Sequence, residues 1–435
     1  MYTIFYPQET RKNRFFFPQR EALGLDAREL SPGMVERVVF AAAETRSFAR
    51  AAVALEKIAG VEVSANTVQR VVGDVGEELA ARRDAETPTG FGLAERPAAP
   101  PELAVVECDG GRIRTREPGQ GRGVHLSGEG WRETKNACLV RASRQTFADD
   151  PQPEPPACFC DPTQAAKIAE TEAFSVAAPR AAPVPDEEQR VQPCEVPVAE
   201  QGGDDWRPKR LVRTVLSSMK GSRDFGRQMA KEAKQRRFFE ASAKVFLGDG
   251  LPWNWTIWKD HFPDFTPILD FIHPLSYLFL AAKAVHPSSE DSWSQYLVWM
   301  RGCWQGEVGQ VLEELRAWQR KLGEPPPGVA ESDPRKIIAG TVTYLENNRH
   351  RMNYPEYRKA GLPVTTAWME SLVKEVNYRV KGTEMFWNHL QGAEAILQVR
   401  AAALSDDDRL SKYLHHRPGC PFTRRPKLLA KTCKS

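Results

Sequence analysis

The sequence has little that would suit a disulfide framework, a zinc site or a membrane protein. Its 435 residues include eight cysteines, and the only close pair, Cys158 and Cys160, has no second pair at the spacing of zinc ligands. We therefore expect reduced thiols. No apolar run approaches the roughly 20 residues of a membrane span, and residues 1–17 lack the continuous apolar core of a signal peptide. With 41% hydrophobic and 27% charged residues, the chain is predicted to be a globular cytoplasmic protein.

The net charge of +3 hides an uneven distribution. Residues 149–205 hold 13 acidic and 3 basic residues, which leaves roughly +13 on the remainder. Because the acidic segment is rich in proline and alanine and has weak periodicity, we predict a disordered insertion over 147–209 with no catalytic role. The basic remainder favours a polyanionic partner, although exposed Lys and Arg also serve solubility alone.

Three amphipathic helices are predicted near the amino terminus. The first begins at Ser31-Pro32, the second runs from Ser47 to Gly60, and the third follows the N-cap candidate Ser64. A helix, a short turn and a capped helix form the layout of a helix-turn-helix, whose second helix enters the DNA major groove. A small helical bundle used for packing or dimerisation is the alternative. In the DNA-binding hypothesis, the contacting side chains are Asn66, Gln69 and Arg70.

Two apolar runs each end in an aspartate beside glycine. The run Leu103–Val106 leads to Asp109, and the run Val245–Leu247 leads to Asp249. Neighbouring strands that deliver carboxylates to one sheet edge make an oxygen-rich corner, which suits Mg²⁺ or Mn²⁺. A plain tight turn is the alternative for Gly-Asp-Gly. A third apolar run ends in Asp270, with His273 three residues later.

The second half of the chain is predicted to be mostly helical. Residues 211–239 suggest one long helix with a basic face, which is either solvated or a nucleic-acid surface. Beyond His273, tryptophans recur at helical spacing and predict a packed helical core. Thr365 or Thr366 can cap a later helix that carries Glu370, although a salt-bridged surface helix explains the same pattern.

Asp109, Asp249 and Glu370 together offer three carboxylates from two strand ends and a helix. Such a set can surround two divalent ions, which clamp the attacking and leaving oxygens of an in-line phosphoryl displacement. Phosphodiester chemistry also suits the basic remainder of the chain. The sequence therefore predicts a metal-dependent enzyme that acts on nucleic acid.

Four stretches carry a resemblance to a known family. ECDGG from Glu107, GDGLPWNW from Gly248, ILDFIH from Ile268 and GLPVTTAWMESLVKEVNYRVKGTEMFW from Gly361 resemble, in order and spacing, the signatures of DDE-type transposases of prokaryotic insertion sequences. The similarity is to the ISKra-type branch, related to the Mutator superfamily, and covers most of residues 30–425.

The resemblance implies an α/β fold with an RNase H-like catalytic core, in which a mixed sheet is flanked by helices and interrupted by an all-helical insertion. It implies catalysis and metal binding by Asp109, Asp249 and Glu370, with two Mg²⁺ ions that Mn²⁺ can replace. Asp270 and His273 match an auxiliary element beside the active site. The basic stretch after the glutamate, likewise similar to relatives, contributes the expected DNA contacts Lys374, Arg379 and Lys381.

The implied function is a DNA transposase that cuts the element ends and transfers the 3′-hydroxyls to target DNA. Its expected partners are double-stranded DNA of the terminal repeats and target, and further copies of itself as a dimer or higher homo-oligomer. It would associate with the nucleoid when bound to DNA. Two alternatives are a domesticated or inactive transposase-derived DNA-binding protein and an RNase H-like nuclease without strand transfer.

The predicted organisation has eight segments. They are an arm and helix-turn-helix-like domain at 1–85, a linker at 86–101, the first catalytic part at 102–146, the acidic insertion at 147–209, the second catalytic part at 210–280, a helical insertion at 281–360, the glutamate helix and a closing helix at 361–405, and a basic tail at 406–435.

Overall fold

The structure is a computed structural model that describes residues 8–9, 15–16, 25, 30–85, 96–116, 130–177, 206–382 and 385–417. It forms two compact units. The first contains residues up to Glu95 together with those from Gln391 onward, and the second spans Arg96–Leu390. No helix within the described ranges is long and apolar enough to cross a membrane.

The second unit contains the strands of one large sheet, and helices occur in both units. The strands of the large sheet are β1 (Leu103–Arg114), β2 (Trp131–Ser143), β3 (Lys209–Ser218), β4 (Ala243–Gly248) and β5 (Thr266–Leu269). The helices are α1 (Pro32–Glu44), α2 (Phe48–Ala59), α3 (Ala65–Asp84), α4 (Pro162–Ala177), α5 (Ser222–Gln235), α6 (Pro252–His261), α7 (Ile272–Val285), α8 (Ser289–Trp304), α9 (Val308–Leu322), α10 (Pro334–Asn348), α11 (Tyr354–Lys359), α12 (Ala367–Val380), α13 (Leu390–Ala403) and α14 (Arg409–His415).

Helices α1, α2 and α3 begin where serine can cap them, which confirms the three predicted helices. Ser31, Ser47 and Ser64 occupy the N-cap positions, and each side chain accepts a hydrogen bond from a backbone N–H of the first turn. Gly60 ends α2 in the left-handed conformation, at φ 63°, which glycine adopts without a Cβ clash.

Helix α13 belongs to the unit of the amino-terminal helices. The Arg83 guanidinium donates to Glu394 at 2.5 Å, and Arg400 donates to the backbone oxygen of Ala43 at 3.0 Å. Sequence reasoning grouped this closing helix with the catalytic glutamate over 361–405, whereas the structure divides that segment at Gln391. The predicted tail at 406–435 includes helix α14, and residues 418–435 lie outside the described ranges.

The second unit contains a five-stranded mixed sheet with strand order β3-β2-β1-β4-β5. Strands β1, β2 and β3 pair antiparallel, whereas β4 pairs parallel to β1, and β5 pairs parallel to β4. Helices flank this sheet. The arrangement fits the α/β RNase H-like core that the resemblance implies.

Alternate residues of β1 face different surroundings. Val106 and Cys108 join an apolar cluster with Phe225 of α5 and Ile257 of α6. Because side chains alternate along a strand, Glu107 and Asp109 lie on the opposite face. Helix α12 packs against β1 and β2.

The predicted long helix over 211–239 is wrong. Residues Lys209–Ser218 form β3 and pair with β2 from Lys135 to Ser143, and helix α5 begins only at Ser222. A short apolar run with basic residues on one face is compatible with the period of a helix and with that of a strand. Pairing with β2 makes this segment a strand.

The first part of the acidic segment also differs from the prediction. Residues 147–177 include a 3₁₀ turn at Ala157–Cys160 and helix α4, and Phe159 is buried against Phe271 and Trp304. Arg358, which is fully buried, donates two hydrogen bonds to Asp150 at 2.8 and 2.5 Å. Local composition could not indicate these distant partners. Residues 178–205 of the predicted insertion lie outside the described residues.

Candidate active site

Asp109 and Asp249 occupy matching positions on two adjacent parallel strands. The last paired residues of β1 and β4 are Glu107 and Leu247, so each aspartate lies two residues beyond the paired end. Sequence reasoning expected Asp109 at the end of its strand, but β1 continues to Arg114 because β2 pairs with it throughout. Asp109 thus lies inside β1, at the level where its parallel partner β4 has ended, and both carboxylates follow the carboxyl-terminal end of the β1–β4 pairing.

The charges of both aspartates act on Cys108. Burial raises the pKa of the Cys108 thiol well above its ordinary value, and the negative charges of Asp249 and Asp109 raise it further. A negative group next to the thiol disfavours the thiolate. This effect places both carboxylates in the same electrostatic neighbourhood.

Asp249 is held by the turn that follows β4. Its carboxylate accepts hydrogen bonds from the backbone N–H of Leu251, at 2.8 Å, and from the side-chain amide of Asn254. The Tyr344 hydroxyl of α10 donates to its backbone oxygen at 3.0 Å. Gly250 has a φ of 95°, which an L side chain rarely adopts. The Asp249 side chain is therefore held in place by these contacts and is only 9% exposed to solvent.

Glu370 lies in the first turn of α12 and is partly exposed. Two connections fix this helix. Thr366, at its N-cap position, is bonded to Asp270, and Glu375 receives two hydrogen bonds from Arg213 of β3 at 3.0 and 2.9 Å. The Thr366 hydroxyl donates to Asp270 instead of accepting from the backbone as a helix cap would.

Asp270 is fully buried and directly follows β5. Its carboxylate accepts from the N–H of Thr366 at 3.1 Å and from the Thr366 hydroxyl at 2.8 Å. The Nδ1 atom of His273 lies 2.9 Å from the same carboxylate. The predicted auxiliary pair Asp270 and His273 is thus brought together, and Asp270 connects the end of β5 to the start of the Glu370 helix.

Glu107 is a buried acid beside this site that sequence reasoning did not select. It is 0% exposed, and the backbone of Met369, in the first turn of α12, lies close enough to interact with its carboxyl group. Burial raises the pKa of Glu107 well above its ordinary value, and the charges of Asp270 and Glu370 add to this. The sequence could have indicated Glu107, because it lies two residues before Asp109 and alternate residues of a strand face the same side of the sheet.

The donor set suits a divalent ion only in part. Among the described residues, no three His, Cys, Asp or Glu side chains lie close enough together to hold a metal ion. Mg²⁺ is commonly bound by one or two carboxylates together with waters and substrate phosphates. Asp109 and Asp249 are donors of this type, and the predicted set of three carboxylates with two ions stays a prediction.

The predicted DNA contacts have different accessibilities. Asn66, Gln69 and Arg70 are all exposed on α3. Lys374 is exposed on α12, and Lys381 is partly exposed with its amine 6.0 Å from the Trp131 ring centre. Arg379, in contrast, is 1% exposed and lies over the Trp387 ring at 5.6 Å. Arg379 is therefore a buried side chain in this structure.

The sequence matches no family model and no curated protein. Among solved structures, the chain is similar to one described as the Drosophila P element transposase strand transfer complex. The two chains are 10% identical, the similarity covers 88% of this chain and 93% of the other, and the TM-score is 0.32. A likeness at this level carries no weight for function, which is argued below from the site.

Proposed function

We propose that the protein is a DNA transposase that cuts DNA strands at the ends of an insertion sequence and transfers the new 3′-hydroxyls to target DNA. One observation carries the proposal: Asp109 and Asp249 lie at matching positions beyond the paired ends of adjacent parallel strands. The Glu370 helix packs against the first of those strands. Paired carboxylates at such an edge suit phosphodiester chemistry with divalent ions.

In this proposal, Asp109 and Asp249 hold Mg²⁺ together with the phosphate to be cut. The bound ions supply activation of a water or 3′-hydroxyl and stabilisation of the leaving oxygen. The protein's own contribution is orientation. Leu251 and Asn254 fix the Asp249 carboxylate, and the N–H of Gly110 donates to Asp109 at 2.6 Å.

Glu370 completes the site when DNA is bound. Helix α12 is anchored by Asp270 at its first turn and by Arg213 at Glu375, and Glu370 lies between these two anchored positions. A change of its side-chain rotamer, or a small movement of the first turn, brings a third carboxylate to the aspartate pair. Attraction between the Glu370 carboxylate and the bound cations offsets the side-chain entropy that is lost in this step.

DNA is engaged by two groups of side chains. The exposed set Asn66, Gln69 and Arg70 lies within about one helical turn of α3, as residues that enter a major groove do. Lys374 and Lys381 contribute positive charge along and after the glutamate helix. Two DNA ends must be processed together, so we propose that the active form is a homo-oligomer.

A second candidate is a transposase-derived protein that binds DNA without cutting it. The specific observation in its favour is that no three potential ligands in the described ranges lie close enough for a metal ion. If Glu370 cannot approach the aspartate pair, DNA binding is retained and strand cleavage is lost.

The decisive experiment measures Mg²⁺-dependent cutting and joining of DNA that carries the sequences flanking the gene. Wild type is compared with Asp249→Asn, which keeps the size of the side chain and removes its charge. Asp264→Asn is the matched control, because Asp264 is an exposed aspartate of the same region outside the candidate site. DNA affinity is measured for all three proteins.

We expect wild type and Asp264→Asn to cut and join, and Asp249→Asn to bind DNA but do neither. A wild type that binds the DNA and never cuts it would establish the second candidate. Equal cutting by Asp249→Asn would reject the metal-site assignment. A wild type that hydrolyses DNA but never joins strands would indicate a nuclease.

A further inference from the structure

Asn136 presents a buried hydrogen-bond donor next to Asp109. The two residues lie directly opposite each other in the β1–β2 ladder, so their side chains share one face of the sheet. Asn136 is 1% exposed, and its Nδ2 atom has no hydrogen-bond partner among the described residues. Buried polar groups are nearly always paired, so an exception beside a candidate active site is a candidate contact for a ligand.

The orientation of the Asn136 amide is fixed. The Ser217 hydroxyl of β3 donates to Asn136 Oδ1 at 2.7 Å. Because the oxygen is engaged on the β3 side, the amide nitrogen is directed toward β1 and the Asp109 side of the sheet. The unpartnered donor is therefore a consequence of a specific contact and not of a freely rotating side chain.

Gly111 brings the backbone of β1 close to this donor. A Cβ on Gly111 would lie 3.0 Å from Asn136 Nδ2 and 2.6 Å from the Thr134 hydroxyl. On the opposite face, a Cβ on Gly110 would meet nothing closer than Glu133 at 3.8 Å. The lack of a side chain thus matters at Gly111. The Thr134 hydroxyl lies beside the same position, and rotation about one bond can move it and admit a ligand oxygen.

The ligand for this donor must present an acceptor oxygen close to Asp109. A free anion would be repelled by the neighbouring carboxylates, whereas a phosphodiester that arrives with a divalent cation is attracted. We propose that Asn136 donates a hydrogen bond to a non-bridging oxygen of the DNA phosphodiester that is cut. This inference rests on the proposed function and adds a substrate-binding residue to it.

The proposed contact gives the site a neutral donor. Asp109 and Asp249 act on the phosphate through the cation, and Asn136 contacts it directly. A fixed donor aimed at an oxygen that gains charge during the reaction stabilises the transition state more than the ground state. Loss of Asn136 should therefore lower the cutting rate more than it lowers DNA affinity.

The first test observes the amide itself. Protein with ¹⁵N-labelled asparagine is titrated with a short DNA duplex in Ca²⁺, so that binding occurs without a requirement for cutting. Asn136→Asp assigns the side-chain signal by its absence. We expect the Asn136 amide signal to shift on DNA binding, while that of Asn347 on α10 stays in place. Binding that shifts other signals but leaves Asn136 unchanged would overturn the proposal.

The second test compares cutting rates of substituted proteins. Asn136→Leu removes the donor at similar volume, and we expect cutting to fall by about 10- to 100-fold. Gly111→Ala, which would press a methyl group against the amide, should also cut slowly, whereas Gly340→Ala, whose Cβ would meet nothing within 4 Å, should cut like wild type. Equal cutting by the two alanine variants, or by Asn136→Leu and wild type, would reject the assignment.

These two tests separate the inference from the proposed function. If the wild type binds DNA but does not cut it, the shift of the Asn136 amide signal alone decides whether Asn136 contacts the DNA. A wild type that does not bind DNA rejects both. If Asn136→Leu fails to fold, the glycine pair and the amide signal of the wild type still decide the outcome.

Discussion

Asp270 and Thr366, separated by 96 positions in the chain, are joined by two hydrogen bonds to one buried carboxylate. This pair links the end of β5 to the first turn of the Glu370 helix. The backbone adds to the connection, because the N–H of Phe271 donates to the oxygen of Val364 at 3.0 Å. The position of Glu370 in the candidate site is therefore set by a contact remote from it in sequence.

Substitution of this pair should change both stability and cutting. Asp270→Ala leaves the Thr366 N–H and hydroxyl without their acceptor, so we expect the free energy of unfolding to fall by about 3 kcal/mol. Thr366→Val removes only the hydroxyl and should lower it by about 1 kcal/mol. Urea denaturation measures both changes, and DNA cutting should fall in the same order.

Ser371→Ala is the control for the Asp270 prediction, because Ser371 is exposed on the same helix. Its hydroxyl donates to Glu375 at 3.2 Å, and the two hydrogen bonds from Arg213 to Glu375 remain in this variant. It should change the free energy of unfolding by less than about 0.5 kcal/mol. If Asp270→Ala were no less stable than Ser371→Ala, the carboxylate would not be what holds the glutamate helix.

The ion pair between Asp150 and Arg358 predicts a dependence of stability on pH. Although partial burial alone would raise it, hydrogen bonds from Arg358 and from the N–H of Gln152 lower the pKa of Asp150 below its ordinary value of 3.8. A carboxyl whose folded-state pKa is lowered contributes stability above its unfolded pKa and loses it as pH falls through the folded pKa. This contribution should therefore be complete near pH 7 and disappear below about pH 4.

Asp150→Asn isolates that contribution. At neutral pH we expect it to lower the free energy of unfolding by about 2 to 3 kcal/mol, because the buried Arg358 guanidinium loses a charged partner. The difference from wild type should shrink below about pH 4. Denaturation of both proteins across this pH range tests the prediction. A difference in the free energy of unfolding that stayed constant with pH would contradict the assignment to this ion pair.

The three amino-terminal helices could be predicted because their signals are local. Ser31, Ser47 and Ser64 each cap a helix whose first residues follow at once, and Gly60 closes α2. The apolar runs before Asp109 and Asp249 likewise identified strands β1 and β4. Capping and burial patterns act over a few residues, and a sequence contains them in full.

The parts that could not be predicted depend on partners far along the chain. Asn136 faces Asp109 only because of the β1–β2 register, which no local pattern specifies. Arg213 belongs to the range 211–239 that was predicted as one long helix, yet it lies in β3 and pairs with Glu375, 162 residues away. In both cases tertiary pairing decides the environment of a polar residue whose local sequence is ambiguous.

The exposed side chains of α3 predict a defined loss of DNA affinity. If α3 enters a major groove, Arg70→Ala should weaken binding to the flanking DNA by about 1 to 3 kcal/mol, which is the range for a base contact. Arg37→Ala, an equally exposed arginine on α1, should have little effect. Fluorescence anisotropy measures both, and equal losses would favour non-specific charge or the alternative role of α3 in packing.

Gly250 and Gly340 provide a last matched comparison, because alanine should have opposite effects at the two positions. Gly250 has a φ of 95°, and a Cβ there would lie 2.8 Å from the Tyr344 ring and hydroxyl, the group that donates to the backbone oxygen of Asp249. Gly250→Ala should therefore destabilise the fold by about 1 to 3 kcal/mol and displace Asp249, with loss of cutting.

Gly340 lies within helix α10, on the same helix as Tyr344, and a Cβ there would meet nothing within 4 Å. Gly340→Ala should raise the free energy of unfolding by about 0.5 to 1 kcal/mol, because alanine restricts the unfolded chain and favours the helix. Its cutting rate should match that of wild type. A Gly250→Ala protein that also retained full cutting would show that the turn after β4 does not need this backbone conformation to place Asp249.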